Sequence, residues 1–461
     1  MTDMSLAAPA VPSPFSRLRR PRPLALSRAD IPAAALVFLL ATSIATGHVT
    51  ITPAGIGLAT LALFVTVVVV AFARRQLRAD LRSASFVRLA VGLAAATILL
   101  AITSDALLIV AAWIACGRIM SGLIGHVGEW SEAKAAKRSA SITFLISDLL
   151  LAGAALLLAV AAGTTEIDGI ADALPLMSPH TSSLAAALLV GAAAARCALP
   201  PFSSWLMRSL AAPTPVSALM HAGFVNAGGF LLIRLSPVLE AAPVARQALF
   251  ALGAFAALYG AVAMLARSDV KGAFAASTVA QMGFMLLTIA LGAYAAALWH
   301  MVAHGLFKAW LFLGSSGAIA PAGGRDKCLA QPWPAAIALI TMASAAILLD
   351  LGESTALLPI GLGFTALLTA LVIAFNSTRR SRTSRLLIIL PILLIAFNAA
   401  ALYLVGAVQQ NAQVPLIPGY AQFGLLALFL AAWVYQQGVM RGERALPPAF
   451  HARLIHFASA A

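Results

Sequence analysis

The stretch Leu184-Ala-Ala-Ala-Leu-Leu-Val-Gly191-Ala-Ala-Ala-Ala-Arg196-Cys-Ala-Leu-Pro200-Pro201-Phe-Ser-Ser-Trp205-Leu-Met-Arg208-Ser-Leu210 decides how this chain folds. Up to Ala195 it is unbroken apolar sequence; then come a cation, Arg196, and two adjacent prolines. Proline lacks an N–H and its ring clashes with the turn before it, so the spacing predicts a helix that breaks at Pro200 and Pro201. Broken backbone inside a bilayer survives only where protein or a water-filled cavity surrounds it. The segment therefore reads as a discontinuous helix within a helical bundle, with carbonyls released beside Arg196. Helices of this kind mark ion and substrate sites in transporters. A proline kink that serves packing alone is the competing reading.

Apolar runs of similar length lie on both sides, at 31–47, 55–73, 86–103, 105–124, 140–162, 216–235, 247–266, 274–292, 294–317, 335–351, 356–375, 385–407 and 420–438. With 184–210 they predict an all-α polytopic membrane protein of about fourteen transmembrane helices. Of the 461 residues 61% are hydrophobic and 10% charged; soluble domains carry about a quarter charged residues, so a soluble fold is excluded. Uninterrupted runs also exclude an outer-membrane barrel, whose strands alternate. Cys116, Cys197 and Cys328 stand far apart in or beside apolar segments, which suggests neither a disulfide framework nor a Cys-x-x-Cys metal site.

A net charge of +14 would suggest nucleic acid in a soluble chain. Here the basic residues sit between apolar runs, without aromatic interleaving, and gather in alternate loops: Arg17 to Arg28, Arg74 to Arg88, Lys134 to Arg138, Arg267 with Lys271, Arg379 to Arg385, and Arg441 to Arg453. The positive-inside rule makes these loops cytoplasmic. Both termini then fall on the cytoplasmic side of the membrane, and nucleic acid is not an expected partner. The expected organisation is a basic tail over 1–30, a transmembrane domain over 31–440 and a second tail over 441–461. The first thirty residues, rich in Pro and Arg, lack a small-residue cleavage site after a short apolar core, so they are expected to be a cytoplasmic tail and not a signal peptide. No polar stretch has room for a soluble catalytic domain, so the chain is expected not to be an enzyme by itself.

A charge kept at membrane depth costs about 2.5–3.5 kcal/mol or more, which singles out Arg118, Asp148, Arg196, His221, His300, His304 and Lys308. His300, His304 and Lys308 are spaced four apart and line one face of a helix. Histidine titrates near neutrality and lysine can release its proton when buried, so such a file can pass protons. A structural seam of interhelical hydrogen bonds is the alternative. A metal site is not expected, because His300-Met-Val-Ala-His304 lacks the glutamate of His-Glu-x-x-His. Asn226, beyond the Ala212-Pro-Thr-Pro-Val-Ser217 loop, reads equally as a pathway residue or as an interhelical hydrogen bond.

Five motifs carry a resemblance: Leu199-Pro-Pro-Phe-Ser-Ser-Trp-Leu206, Ala212-Pro-Thr-Pro-Val-Ser-Ala-Leu-Met-His221, Arg267-Ser-Asp269-Val-Lys271, Ala276-Ser-Thr-Val-Ala-Gln281-Met-Gly-Phe284 and His300-Met-Val-Ala-His304-Gly-Leu-Phe-Lys308. In this order and spacing they resemble the antiporter-like membrane subunits of respiratory complex I and of multisubunit cation/proton antiporters. The resemblance implies two inverted five-helix repeats, each with a broken helix and a half-channel, in a core of about 105–375. By position it sets Arg196 in place of the broken helix's lysine, His221 in place of the next helix's lysine or histidine, and His300, His304 and Lys308 on the connecting polar axis. It gives Asp148 an acidic role beside Arg196, and Asp269 and Lys271 a place in a loop that a partner could meet. Two departures stand out: Trp113-Ile114 replaces the family's Trp-Glu, and the late lysine of the second broken helix has no match.

These departures, with Met220-His221-Ala-Gly-Phe-Val-Asn226-Ala-Gly-Gly-Phe-Leu-Leu-Ile-Arg234, are more similar to the membrane subunit of the bacterial inorganic-carbon accumulating complex, the DabB family. That resemblance implies a hetero-oligomer with a large peripheral DabA-like protein whose zinc site is like that of carbonic anhydrases. Flow of protons or other cations through the membrane subunit would then drive hydration of carbon dioxide to bicarbonate. No cofactor is expected in this chain; zinc is expected in the partner. A proton-pumping subunit of a complex I-like or sodium/proton antiporter assembly is the second reading, and a structural anchor the third.

Overall fold

The structure, a computed structural model, describes residues 47–267, 269–315, 357–363, 384–412, 414–441 and 448–449. The expected spans at 31–47 and 335–351, most of that at 356–375, the tail over 1–30 and nearly all of that over 441–461 lie outside them. The helices are α1 (Pro53–Gln76), α2 (Ser83–Ile102), α3 (Ala106–Ile124), α4 (Ser131–Ala162), α5 (Ile167–Ala173), α6 (Pro179–Arg196), α7 (Ser204–Met207), α8 (Thr214–Ala222), α9 (Ala227–Arg234), α10 (Ser236–Glu240), α11 (Pro243–Ala266), α12 (Val270–Ala290), α13 (Tyr294–Ser315), α14 (Ser384–Val408) and α15 (Gly419–Arg441). Among the described residues extended pairing is limited to single bridges, Val49 with Thr103 and Asp105 with Glu166, so the fold is all-α. Eight described segments are long and apolar enough to cross a membrane: α1 to α4, α8 with α9 as one unit, α11, α12 and α13.

The ends of these helices follow local chemistry. Thr52 caps α1 through the Gly55 N–H at 3.1 Å, ahead of Pro53. Asp105 accepts from the N–H groups of Leu107 and Leu108 at 2.9 Å each and starts α3. Ser178 caps α6 through Thr181 N–H at 3.1 Å, again ahead of a proline. Each side chain satisfies donors that the helix itself leaves unpaired. One boundary differs from the sequence reading: α4 begins at Ser131, well before the apolar run at 140, because Glu132, Lys134, Lys137 and Arg138 are good helix formers that prolong it.

Consecutive helices pack as neighbours from α1 to α4, and α6 lies against both α4 and α9. The tightest pair is α11 with α12: a Cβ added at Gly260 would stand 2.3 Å from the Ala280 backbone nitrogen, so the two backbones touch. At the centre, α13 packs on α1, α8, α9, α12 and α14. The three polar residues expected on its face thus meet protein on several sides.

The broken helix is where sequence and structure differ most usefully. Its first half, α6, ends at Arg196, before the prolines. The Leu199 N–H bonds Ala194 O at 2.9 Å and the Ala198 N–H bonds Ala195 O at 3.3 Å, with Ala198 left-handed at φ 57°. This is a Schellman closure with alanine where glycine is usual. Cys197 N–H takes Ala193 O at 2.8 Å, and the Trp205 indole donates to Ala195 O at 3.0 Å. The last carbonyls of α6 are therefore occupied, since a buried, unpaired carbonyl costs more than a local hydrogen bond does; the two that Pro200 and Pro201 leave without an N–H donor at i+4 are those of Arg196 and Cys197. Pro200 and Pro201 occupy the turn that follows and delay helix until α7. Ala198→Gly removes the left-handed penalty and is expected to stabilise the fold by about 1 kcal/mol, read as a higher melting temperature in detergent; Ala198→Val is expected to lower it.

At one end of the bundle, the α1–α2 and α3–α4 loops are tied together. Asp80 accepts from the Arg82 N–H at 2.8 Å and pairs with His126 Nε2 at 2.8 Å, while Arg82 pairs with Glu129. The hydrogen bond from Arg82 N–H, then that from His126, hold the Asp80 carboxyl below the usual carboxylate range. A carboxyl depressed on folding stabilises the fold above its unfolded value and ceases to do so as pH falls through its folded one. Asp80→Asn is expected to cost about 1 kcal/mol near neutrality and nothing in acid well below pH ~4. Unfolding midpoints measured across that range check this.

Candidate functional site

Two buried polar clusters lie among the described helices. In the first, Asp148 of α4 stands between two arginines: Arg118 Nη2 of α3 donates to its Oδ2 at 2.7 Å, and Arg196 Nη2 to its Oδ1 at 3.1 Å. Arg196 is fully buried and Asp148 nearly so, whereas the Arg118 side chain is 44% exposed. Arg196 also donates to Trp113 O at 3.1 Å. Its guanidinium carbon lies 4.1 Å from the Trp113 ring centre, 4.8 Å from that of Phe224 and 5.3 Å from that of Phe144. Its Nε and Nη1 have no hydrogen-bond partner and are surrounded by these π faces, which attract a cation. Although Trp113-Ile114 lacks a carboxylate on α3, Arg196 obtains one from the next helix. The Trp113 indole in turn donates to Ser147 Oγ, which donates to Ala192 O, fixing α3, α4 and α6 together.

The second cluster joins α8, α12 and α13. Lys308, nearly buried, donates from Nζ to Ser277 Oγ at 2.6 Å and to Phe274 O at 3.0 Å. Thr278 Oγ1 donates to that same Phe274 O at 2.9 Å and meets His221 Nδ1 at 2.9 Å. With the threonine proton on Phe274 O, His221 is the donor at Nδ1 and its Nε2 is left as a base; with that proton on His221 Nδ1, the imidazole carries its own at Nε2. The His221 ring stacks on Phe312 at 4.4 Å, and Phe312 stands edge-on to Phe274 at 5.2 Å. One turn apart along α13, the His304 and His300 rings are stacked at 5.7 Å, and Nε2 of each has no hydrogen-bond partner. Asn226 donates to Ala222 O at 2.8 Å and to Met301 O at 3.4 Å, bracing the 3₁₀ turn between α8 and α9 against α13.

The two clusters adjoin at the helix breaks: Cys197 Sγ donates to Val225 O at 3.2 Å, and Phe224, which covers Arg196, follows His221 by three residues. Asp269 and Lys271 lie apart, at the start of α12. Asp269 caps this helix through Gly272 N–H. Lys271 turns inward to Ala212 O at 2.9 Å and Leu210 O at 3.4 Å, so its ammonium holds the end of the broken helix. Sequence reasoning did not assign Ser277 or Thr278. Both lie in the quoted Ala276-Ser-Thr motif, but a mid-helix hydroxyl usually serves only its own backbone. Among the described residues no three of His, Cys, Asp and Glu converge as a metal cage.

Comparison with known proteins places this geometry. The chain is 37% identical over 239 residues to a protein of Halothiobacillus neapolitanus named probable inorganic carbon transporter subunit DabB1, covering 50% of this chain and 43% of that protein. It is 36% identical over 228 residues to NADH-quinone oxidoreductase subunit L of Mycobacterium tuberculosis, covering 49% and 36% respectively. The chain thus spans less than half the length of these two relatives. In fold it is similar to a chain in the Mrp complex from Dietzia sp., with a TM-score of 0.60 and 24% identity, over 94% of this chain and 56% of that one. Residues 103–380, more than half of the chain and including both clusters, match the family model described as NADH:quinone oxidoreductase/Mrp antiporter, TM, and the chain belongs to that family of antiporter-like membrane subunits.

Proposed function

We propose that this chain is the proton- or cation-translocating subunit of an energy-coupled inorganic-carbon uptake complex in a bacterial inner membrane, with both termini cytoplasmic. The observation that carries the reading is the buried file of exchangeable nitrogens on α8 and α13. Lys308 holds a proton at Nζ between Ser277 and Phe274 O; His221 accepts one at Nε2; His304 and His300 extend the file along α13 with unpartnered Nε2 atoms. Asp148 and Arg196 set the field beside it, and Asn226 braces the turn. The likeness to the subunit named DabB1 supports carbon uptake as the coupled process. In this reading the zinc belongs to a large peripheral DabA-like partner, where it would supply carbon dioxide hydration. The 36% identity to a subunit of NADH-quinone oxidoreductase favours a second reading, a proton-pumping subunit of a redox-driven or sodium/proton antiporter assembly.

Purification of the tagged chain from native membranes, with metal analysis, separates the two. Copurification of one large peripheral protein with stoichiometric zinc is expected. Recovery of several hydrophobic subunits, or of iron–sulfur and flavin proteins, would overturn the carbon-uptake reading.

A further inference from the structure

Away from both clusters, the loop joining α1 to α2 closes over a cavity of about 220 Å³. Its floor is apolar, built from Leu77, Phe86 and Val87, while Arg74, Arg78 and Ser83 stand at its rim. Arg74 and Arg78 are one helical turn apart and so share a face of α1; Arg75 is not part of the lining. The nearby acids are already engaged, Asp80 by His126 and the Arg82 N–H, and Glu129 by Arg82. Among the described residues neither Arg74 nor Arg78 has an ion-pair partner. α2 starts at this rim with no side-chain cap and no acidic residue in its first turn; its Ser83 N–H bonds Asp80 O at 3.1 Å, which leaves the N–H groups of Ala84 and Ser85 to add to the two guanidinium groups.

Both helices are long and apolar enough to cross a membrane, and the cavity lies where α1 ends and α2 begins, the part of a span that meets the headgroups. We propose that it binds the phosphate headgroup of an anionic phospholipid, the arginines and the start of α2 holding the phosphate and the apolar floor receiving the glycerol and the first acyl carbons. The shared chemistry is a phosphate, which a free inorganic anion also offers. The apolar floor distinguishes the two sources, because a free anion would gain nothing from Val87, the partly exposed apolar residue of the lining, and would lose hydration against it. Guanidinium pairs bind phosphate oxygens in a fixed fork geometry, with the negative surface of the bilayer adding to the attraction.

The test uses the full chain purified in mild detergent, titrated with phosphatidylglycerol, phosphatidylcholine or inorganic phosphate, with retained lipid counted by native mass spectrometry. Phosphatidylglycerol is expected to bind roughly tenfold more tightly than phosphatidylcholine. That preference is expected to vanish in Arg74→Gln/Arg78→Gln and to persist in Arg75→Gln. Ala84→Trp, which keeps both arginines but fills the cavity mouth, is expected to lose retained lipid as well, so misfolding of the double variant cannot decide the matter. Equal retention of the two lipids, or an unchanged preference in the double variant, would overturn the site. Displacement of phosphatidylglycerol by millimolar inorganic phosphate would show a free-anion site and overturn the lipid assignment.

Discussion

Lys308→Met in vesicles carrying the assembled complex is expected to lower proton flux about a hundredfold, the scale on which single proton-transfer groups act. Methionine keeps the length of the side chain but has no exchangeable proton, so the α12–α13 contact survives while the relay is cut. Lys308 is nearly buried and its ammonium has two oxygen partners, Ser277 Oγ and Phe274 O. Loss of the amine leaves a hydroxyl and a carbonyl that still have local bonds: Ser277 Oγ donates to Phe274 O at 2.9 Å, and so does Thr278. The fold should therefore tolerate the change, and partner copurification with an unaltered melting temperature is the control. Full flux in a well-assembled variant would remove Lys308 from the pathway. Ser277→Ala, which deletes one of two partners of the ammonium, is expected to reduce flux only severalfold.

Asp148→Ala carries the largest expected stability cost, about 3–5 kcal/mol. It leaves Arg196, fully buried, and Arg118 facing one another with no carboxylate between them. A second substitution that removes the buried cation, Arg196→Leu, is expected to restore much of the loss, because leucine suits the Trp113, Phe144 and Phe224 surroundings. A double-mutant cycle on melting in detergent gives the coupling, and additivity would show that the pair does not act as a unit. Arg196→Lys separates charge from geometry: a lysine keeps the charge, but it cannot present the planar fork that now serves Asp148 and Trp113 O together.

Most of the described spans were legible because burial in a bilayer demands long apolar runs, and the runs ended within a few residues of α1, α2, α3, α11, α12 and α13. α4 overran its apolar segment, since membrane depth limits hydropathy and not helicity. The file on α13 could be read from fourfold spacing alone. What spacing does not give is the partner across a helix interface: that Arg118 would reach Asp148, or that Phe274 O would serve Lys308 and Thr278 at once, depends on which helices adjoin. Lys271 illustrates the same limit. A cation next to a loop reads as a surface charge, yet here it closes carbonyls at Leu210 and Ala212.

The closure of the broken helix bears on ion selectivity. A dehydrated alkali cation must exchange its water shell for several oxygen ligands at once, as channel filters built from carbonyl rings provide. At this break the carbonyls of Ala193, Ala194 and Ala195 are each committed to an N–H of the chain itself, so these three could join such a shell only by giving up a bond that closes the helix. A proton asks only for one basic lone pair. The Arg196 and Asp148 side chains beside the break, by contrast, can be exchanged one at a time without removing any of these backbone bonds, so their part in discriminating among ions can be tested separately.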